Sequence, residues 1–139
     1  MAEQTVTALL DTNVLIARDA PDESAPDLSG FERLVVSSLS WSELSRGLHV
    51  TTSLTEFKAR LARFNALQAA FGTGLAFDDA CVRAFDDLLR QVVERGGNAR
   101  AHVLDRMIAA TALAHGLTLV TRDAKGFTNL EGLVQVEVR

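Results

Sequence analysis

The chain has 139 residues, a formal net charge of −4, 47% hydrophobic residues and 23% charged ones. This suits one domain, residues 1–139, built around a single core, with the balance of an ordinary globular protein. The negative charge excludes a general attraction to nucleic acid, so such a partner must be met by local basic patches. No apolar run approaches the length of a membrane span, and the N-terminus has no basic-then-apolar export signal, so an intracellular, cytoplasmic protein without a membrane partner is expected. The single Cys81 rules out an internal disulfide and sits in a helical pattern, where a small buried residue is the simplest role.

Thr5 to Leu10 reads as a short buried strand, followed by a helix from about Thr12 to Asp19. Both prolines fall in the acidic stretch from Asp19 to Asp27, a loop whose acids are most simply a solvated surface. Leu34 to Ser37 is a second strand. The run Ser40-Trp41-Ser42-Glu43 has capping-box spacing and starts a helix, with Gly47 marking its end or a close contact. Ser53 and Glu56 repeat that spacing and open a longer helix. Its Phe57, Leu61, Phe64, Leu67 and Phe71 form one buried stripe, while the interleaved Arg60 and Arg63 face solvent or a partner.

Leu75 to Phe77 is a brief strand, and the helix after it runs from Asp78 or Asp79 to Arg95, stopped by Gly96-Gly97-Asn98. Leu104 to His115 is apolar on nearly every face, as a central helix would be, and Gly116 caps it. Leu117 to Thr121 is a strand, Asp123 to Phe127 a turn, and Val134 to Val138 a strand with one wet face. Alternating strands and helices imply an α/β fold with a mostly parallel sheet of about five strands and helices on both faces.

Four carboxylates stand beside these buried segments: Asp11, Glu43, Asp105 and Asp123. In open α/β sheets ligands bind beyond the carboxyl ends of the strands. Asp11, Glu43 and Asp123 all lie just past predicted strand ends, and Asp105 joins them if its helix starts at the same edge. Carboxylates gathered in one pocket repel one another until protons or a divalent cation balance them. An all-oxygen set favours Mg²⁺ or Mn²⁺, with Ca²⁺ also compatible, and metal-assisted hydrolysis of a phosphodiester is the chemistry that follows.

Each acid has a plainer alternative. Asp11 could cap the helix after it, Glu43 could be the capping-box partner of Ser40, Asp105 could favour its helix dipole, and Asp123 could be a turn residue ahead of Gly126. Position alone also nominates Asp78 and Asp79. His49, His102 and His115 lack metal-ligand spacing and read as local structural or surface residues. Trp41 and the phenylalanines fit a core better than a base-stacking platform. Gly72-Thr73-Gly74 begins a glycine fingerprint, but Phe77 fills the last glycine position, which speaks against dinucleotide binding. A phosphoaspartyl enzyme using Asp11 is weakened by Asn13, where a second Asp would be wanted. Arg46, Arg100, Arg106, Arg122 and Lys125 neighbour the acids in sequence and are candidates to meet phosphate, although each alone is more simply a surface charge.

At Leu9 to Leu15, Ser42-Glu43-Leu44, Asp105 to Ala112 and Leu119 to Asp123 the sequence resembles the PIN-domain family. The order of these motifs resembles the VapC-type toxins of bacterial toxin–antitoxin pairs. That resemblance implies a three-layer PIN-like fold and a Mg²⁺- or Mn²⁺-dependent endoribonuclease that cuts RNA, with tRNA or rRNA as the expected target, and so inhibits translation. It implies that Asp11 and Asp105 are the principal metal ligands, that Glu43 binds metal or orients water, and that Asp123 completes the site. Thr12, Asn13 and Thr121 would position these groups. A cognate VapB-like antitoxin, whose basic side chain enters the acidic pocket, and a second copy of the chain are the implied partners. A catalytically silent PIN-like binding module is the alternative.

Overall fold

The computed structural model describes residues 6–19 and 25–139, so the predicted strand position Thr5 and most of the acidic loop lie outside the described residues. Strand β1 (Thr7–Leu10) leads into α1 (Thr12–Asp19), and β2 (Arg33–Val36) into α2 (Ser38–His49). Helices α3 (Leu54–Phe71), α4 (Asp79–Glu94) and α5 (Val103–His115) follow in succession. Strand β3 (Thr118–Thr121), a 3₁₀ turn at Ala124–Phe127 and β4 (Val136–Val138) complete the chain.

The sheet is wholly parallel, in the order β2-β1-β3-β4. Side chains alternate across it with the period of a strand. Leu9 and Leu119 enter one core with Leu88, Val92, Ile108 and Phe127, under α4 and α5. Ala8, Leu10, Val36 and Val120 enter the other with Val14, Leu15, Leu44 and Leu67, under α1, α2 and α3. Three layers result, and every residue of β3 is buried, as a central parallel strand requires.

The observed sheet has four strands rather than about five. The predicted strand at Leu75 to Phe77 is reduced to one parallel bridge, Ser37 to Leu75. Leu75 donates to the Val36 carbonyl at 2.8 Å and accepts from the Ser38 amide at 2.9 Å. Pairing ends there because the Ala76 carbonyl is taken by the Cys81 thiol (3.7 Å) and Phe77 turns into the core against Phe85. Strand β4 is likewise shorter than predicted, since Val134 is buried in the core before the strand begins.

Two helix expectations also change. Helix α2 starts at Ser38 with Ser37 as its N-cap, so Glu43 is not the capping-box partner of Ser40. Ser40 is buried and accepts from the Thr12 hydroxyl at 2.9 Å. On α3 only Leu67 of the expected stripe is fully buried, and Phe57, Leu61, Phe64 and Phe71 are half-covered. Ser53 caps α3 as expected, accepting from the Glu56 amide at 3.1 Å. Asp78 caps α4 by accepting from the Cys81 amide at 3.1 Å, and Cys81 is buried.

Gly74 permits the approach of the Leu75 segment to β2, because a Cβ there would lie 2.7 Å from the Ser38 nitrogen and 3.0 Å from the Ser37 carbonyl carbon. Backbone atoms at that junction cannot move without disturbing the start of α2. Gly74→Ala is expected to destabilise the protein by about 1–3 kcal/mol, the usual scale of overpacking, as read by urea unfolding.

Candidate active site at the carboxyl edge of the sheet

Strand order reverses between β1 and β3, so the crevice at their carboxyl ends is the topological switch point. Asp11 stands there, only 5% exposed. One of its carboxylate oxygens accepts from the Thr12 amide and the other from the Thr121 hydroxyl, each at 2.9 Å. The Thr121 oxygen in turn accepts from Asn13 Nδ2 and from the Asp123 amide, both at 3.2 Å. Asn13 Oδ1 accepts from the Arg122 amide at 3.2 Å. Asp11, Asn13 and Thr121 thus lock the end of β1 to the loop leaving β3.

Asp105 reaches the same edge through topology. Helix α5 joins β3 through a short turn in which Gly116 adopts the left-handed conformation, so the helix runs back against the strand direction. Its 13 residues span roughly 20 Å at 1.5 Å each, enough to return its first turn to the carboxyl edge. His102 precedes it at φ 52°, a strained setting for a residue with a Cβ, and brings its Nδ1 to 3.8 Å from Asp105 Oδ2. Gly126 leaves the space that the carboxylate occupies: a Cβ there would overlap Asp105 Oδ2 and lie 2.7 Å from its Cγ.

The electrostatics show which acids meet. Burial, opposed by the Thr121 and Thr12 hydrogen bonds and reinforced by the charges of Asp105 and Glu43, pushes the Asp11 carboxyl up to about 6. Asp105 is also raised, by burial first, then by Glu43 and Asp123, with His102 opposing. Asp11, Glu43 and Asp105 therefore form one interacting group. Asp123 joins it through Asp105, from an exposed position where its carboxylate accepts from the Lys125 amide at 2.9 Å. The turn role open to Asp123 in the sequence is thus filled, alongside its place at the edge.

Glu43 makes no hydrogen bond or ion pair among the described residues, which leaves both oxygens for a ligand. The oxygens of Asp11, Asp105 and Glu43 are a hard donor set that suits Mg²⁺ or Mn²⁺. Among the described residues no three acidic, His or Cys side chains converge tightly enough to cage an ion. An open arrangement is what Mg²⁺ commonly uses, taking one or two carboxylates and completing its shell with water and substrate phosphate.

Asp78 and Asp79 fall outside this group. Asp78 caps α4 and lies within the influence of His115, at the far end of α5 from Asp105. Arg106, a candidate phosphate contact in the sequence, is 2% exposed and donates to the Asn98 carbonyl at 2.5 Å, so it anchors the loop before α5 and cannot meet a substrate. Its apolar neighbours on α5 carry no mark of that turn inward. Arg46, Arg100 and Lys125 are exposed and Arg122 is half-buried. The residues that sequence reasoning undervalued are Ser40, His102 and Gly126. Only Gly126 carried a signal, a glycine one turn past an acid-ended strand.

A family model described as PIN domain matches residues 8–133. Over 130 residues the chain is 35% identical to the VapC ribonuclease Y4jK of Sinorhizobium fredii, covering 86% of this chain and 89% of that protein. It is 30% identical over 127 residues to the plasmid stability protein StbB of Pseudomonas syringae pv. tomato, with 86% and 89% covered. Among solved structures, it matches a member of the VapBC family of toxin–antitoxin systems, VapBC-5 from Mycobacterium tuberculosis, with a TM-score of 0.78 and 26% identity over 96% of this chain and 97% of that one. The chain belongs to the PIN-domain family, and VapC ribonucleases are among its relatives.

Proposed function

We propose that this chain is a Mg²⁺- or Mn²⁺-dependent endoribonuclease, the toxin of a VapBC-type toxin–antitoxin pair, which cuts tRNA or rRNA and so inhibits translation and growth. The observation that carries the reading is the buried Asp11 carboxylate at the switch point of the sheet, within the electrostatic influence of Asp105 and Glu43. The relatives named VapC ribonuclease support the same reaction class. A cognate antitoxin is the expected partner by likeness to a member of the VapBC family of toxin–antitoxin systems. The family resemblance further implies a basic side chain of that partner reaching the acids, and a homodimer.

Asp11 and Asp105 would hold the metal, with Glu43 beside them and Asp123 acting through water. When bound, the ion would balance charge on the phosphodiester and lower the pKa of the attacking water. Thr121 and the Thr12 amide fix the Asp11 oxygens so that their remaining lone pairs point to a set place. Glu43, which makes no hydrogen bond or ion pair among the described residues, can orient the water and take its proton. Burial of Asp11 keeps competing solvent away from its carboxylate.

With Mg²⁺ present, the purified protein should cleave total RNA or tRNA, and chelation should abolish cleavage. Asp11→Asn should lower the rate by on the order of 100-fold or more, since charge stabilisation by a metal supplies several kcal/mol. Wild-type cleavage by the folded Asn variant would remove Asp11 from the reaction.

The Asp11 shift also sets a pH dependence. Between its ordinary value of 3.8 and about 6, the native protein keeps a proton that the unfolded chain has lost. Its contribution to stability therefore falls as pH rises through that window. Above pH 6 the ionised carboxylate costs the metal-free protein ~3 kcal/mol. This group alone should accordingly make the metal-free protein less stable at pH 7.5 than at pH 4.5. Mg²⁺ or Mn²⁺ should raise Tm more at pH 7.5 than at pH 5, and Asp11→Asn should be more stable than wild type in EDTA at pH 7.5 with little response to metal. Differential scanning calorimetry across pH reads all three.

Gly126→Ala should displace the Asp105 carboxylate, which can swing away at small structural cost. The expected result is a loss of cleavage of tenfold or more with a Tm close to wild type.

A further inference from the structure

Beside the acids, the structure forms a groove of about 250 Å³ between α1, α2 and α3. Thr12 and Glu43 line it, so it opens from the same edge as the proposed reaction centre. Ile16, Leu44 and Phe64 supply an apolar wall. Two arginines of α3, Arg60 and Arg63, close the far side. They differ in what they already hold. Arg60 donates to the Gly47 carbonyl at 2.7 Å and pairs with Glu56, which ties α3 to α2 and fixes both of its terminal nitrogens in that role. Arg63 is half-buried and has no hydrogen bond or ion pair among the described residues.

A partly desolvated guanidinium without an acceptor is poised for an anion. Glu43 lines the same groove but stands outside ion-pair distance of Arg63, so the cation is not neutralised from within. The chain as a whole, at −4, and its acidic edge both repel phosphate, and a polyanionic substrate has to be met by cations placed close to the chemistry. Arg106 is committed to Asn98. We infer that this groove is a nucleotide subsite, in which Arg63 grips the RNA phosphate next to the scissile one and the Ile16, Leu44 and Phe64 wall takes the nucleoside. The volume suits one nucleotide unit of a single strand, below the ~300–1,000 Å³ of sites for larger ligands. This subsite rests on the ribonuclease reading and adds to it the position and sign of the substrate contact.

The test is steady-state cleavage of one single-stranded RNA oligonucleotide by the full chain with Mg²⁺, repeated over a salt series. Arg63→Ala should raise KM about tenfold with kcat within about threefold, as expected for loss of one charge-assisted contact made equally in ground and transition states. The salt slope of log(kcat/KM) should fall by about 0.7, the value of one single-strand phosphate contact. Arg63→Lys should restore the slope, and Arg90→Ala on α4 should change neither. Arg63→Gln, which keeps the apolar stem, serves if the alanine variant unfolds. Unchanged KM and slope in a cleaving enzyme would overturn the subsite and leave the ribonuclease reading standing. Absence of RNA cleavage and RNA binding by the wild type would overturn both. If Arg63→Ala leaves RNA kinetics intact but weakens the antitoxin complex, the groove is a protein seat and the subsite is wrong.

Discussion

A carboxylate held almost out of water is the constraint around which the rest of this fold is arranged. Asp11 sits where β1 ends, β1 is flanked by strands on both sides, and the residue is 5% exposed. The fold answers with two donors, the Thr12 amide and the Thr121 hydroxyl. These are not sufficient to cancel burial, and the carboxyl stays raised. The uncancelled part is a destabilisation already present in the folded chain, and a cation bound at the proposed site would relieve it.

The same network explains why the loop after β3 is ordered. Thr121 touches Asp11, Asn13 and the backbone of Asp123 at once, so the first turn of α1 and the exit from β3 share one polar hub. Gly126 then carries the 3₁₀ turn against the first turn of α5, where only a missing side chain leaves space for Asp105. Glu43 arrives from the opposite layer, since α2 begins at the end of β2. The acids therefore come from both faces of the sheet and meet only at its edge, which ties the site to the integrity of all three layers.

Much of this was legible in the residues. Hydrophobic period and turn signals placed the helices and the two inner strands, because burial on both faces imposes continuous apolar runs such as Leu119-Val120. What failed was decided by long-range contact. The Leu75 segment has strand-like residues, yet a cysteine thiol and a core phenylalanine claim it after one bridge. Ser40 has capping chemistry, but Ser37 reaches the end of β2 first, and the Ser40 hydroxyl is spent on Thr12. Arg106 follows an acid in sequence and looks like its companion, while the helical turn of about 100° between neighbours sends it into the protein. The motif order named the four acids. Their unequal standing, with Asp11 buried and Asp123 exposed, came only from the structure.

That inequality bears on how an acidic protein could handle an acidic polymer. A symmetric cage of four carboxylates would satisfy a cation fully and leave it no open position for phosphate. Here Asp11 is fixed, Asp105 and Glu43 retain uncommitted oxygens, and Asp123 is tied to its own turn. An ion held by so few protein oxygens would keep positions for water and phosphate, as the proposed reaction needs. The groove on the α3 side adds the complementary feature, a guanidinium placed beside the acids but not paired with them. Had Arg63 closed on Glu43, each charge would have silenced the other. Their separation keeps the acids and the arginine distinct within one crevice, as the proposed metal site and the proposed subsite would need in order to hold a phosphodiester between them.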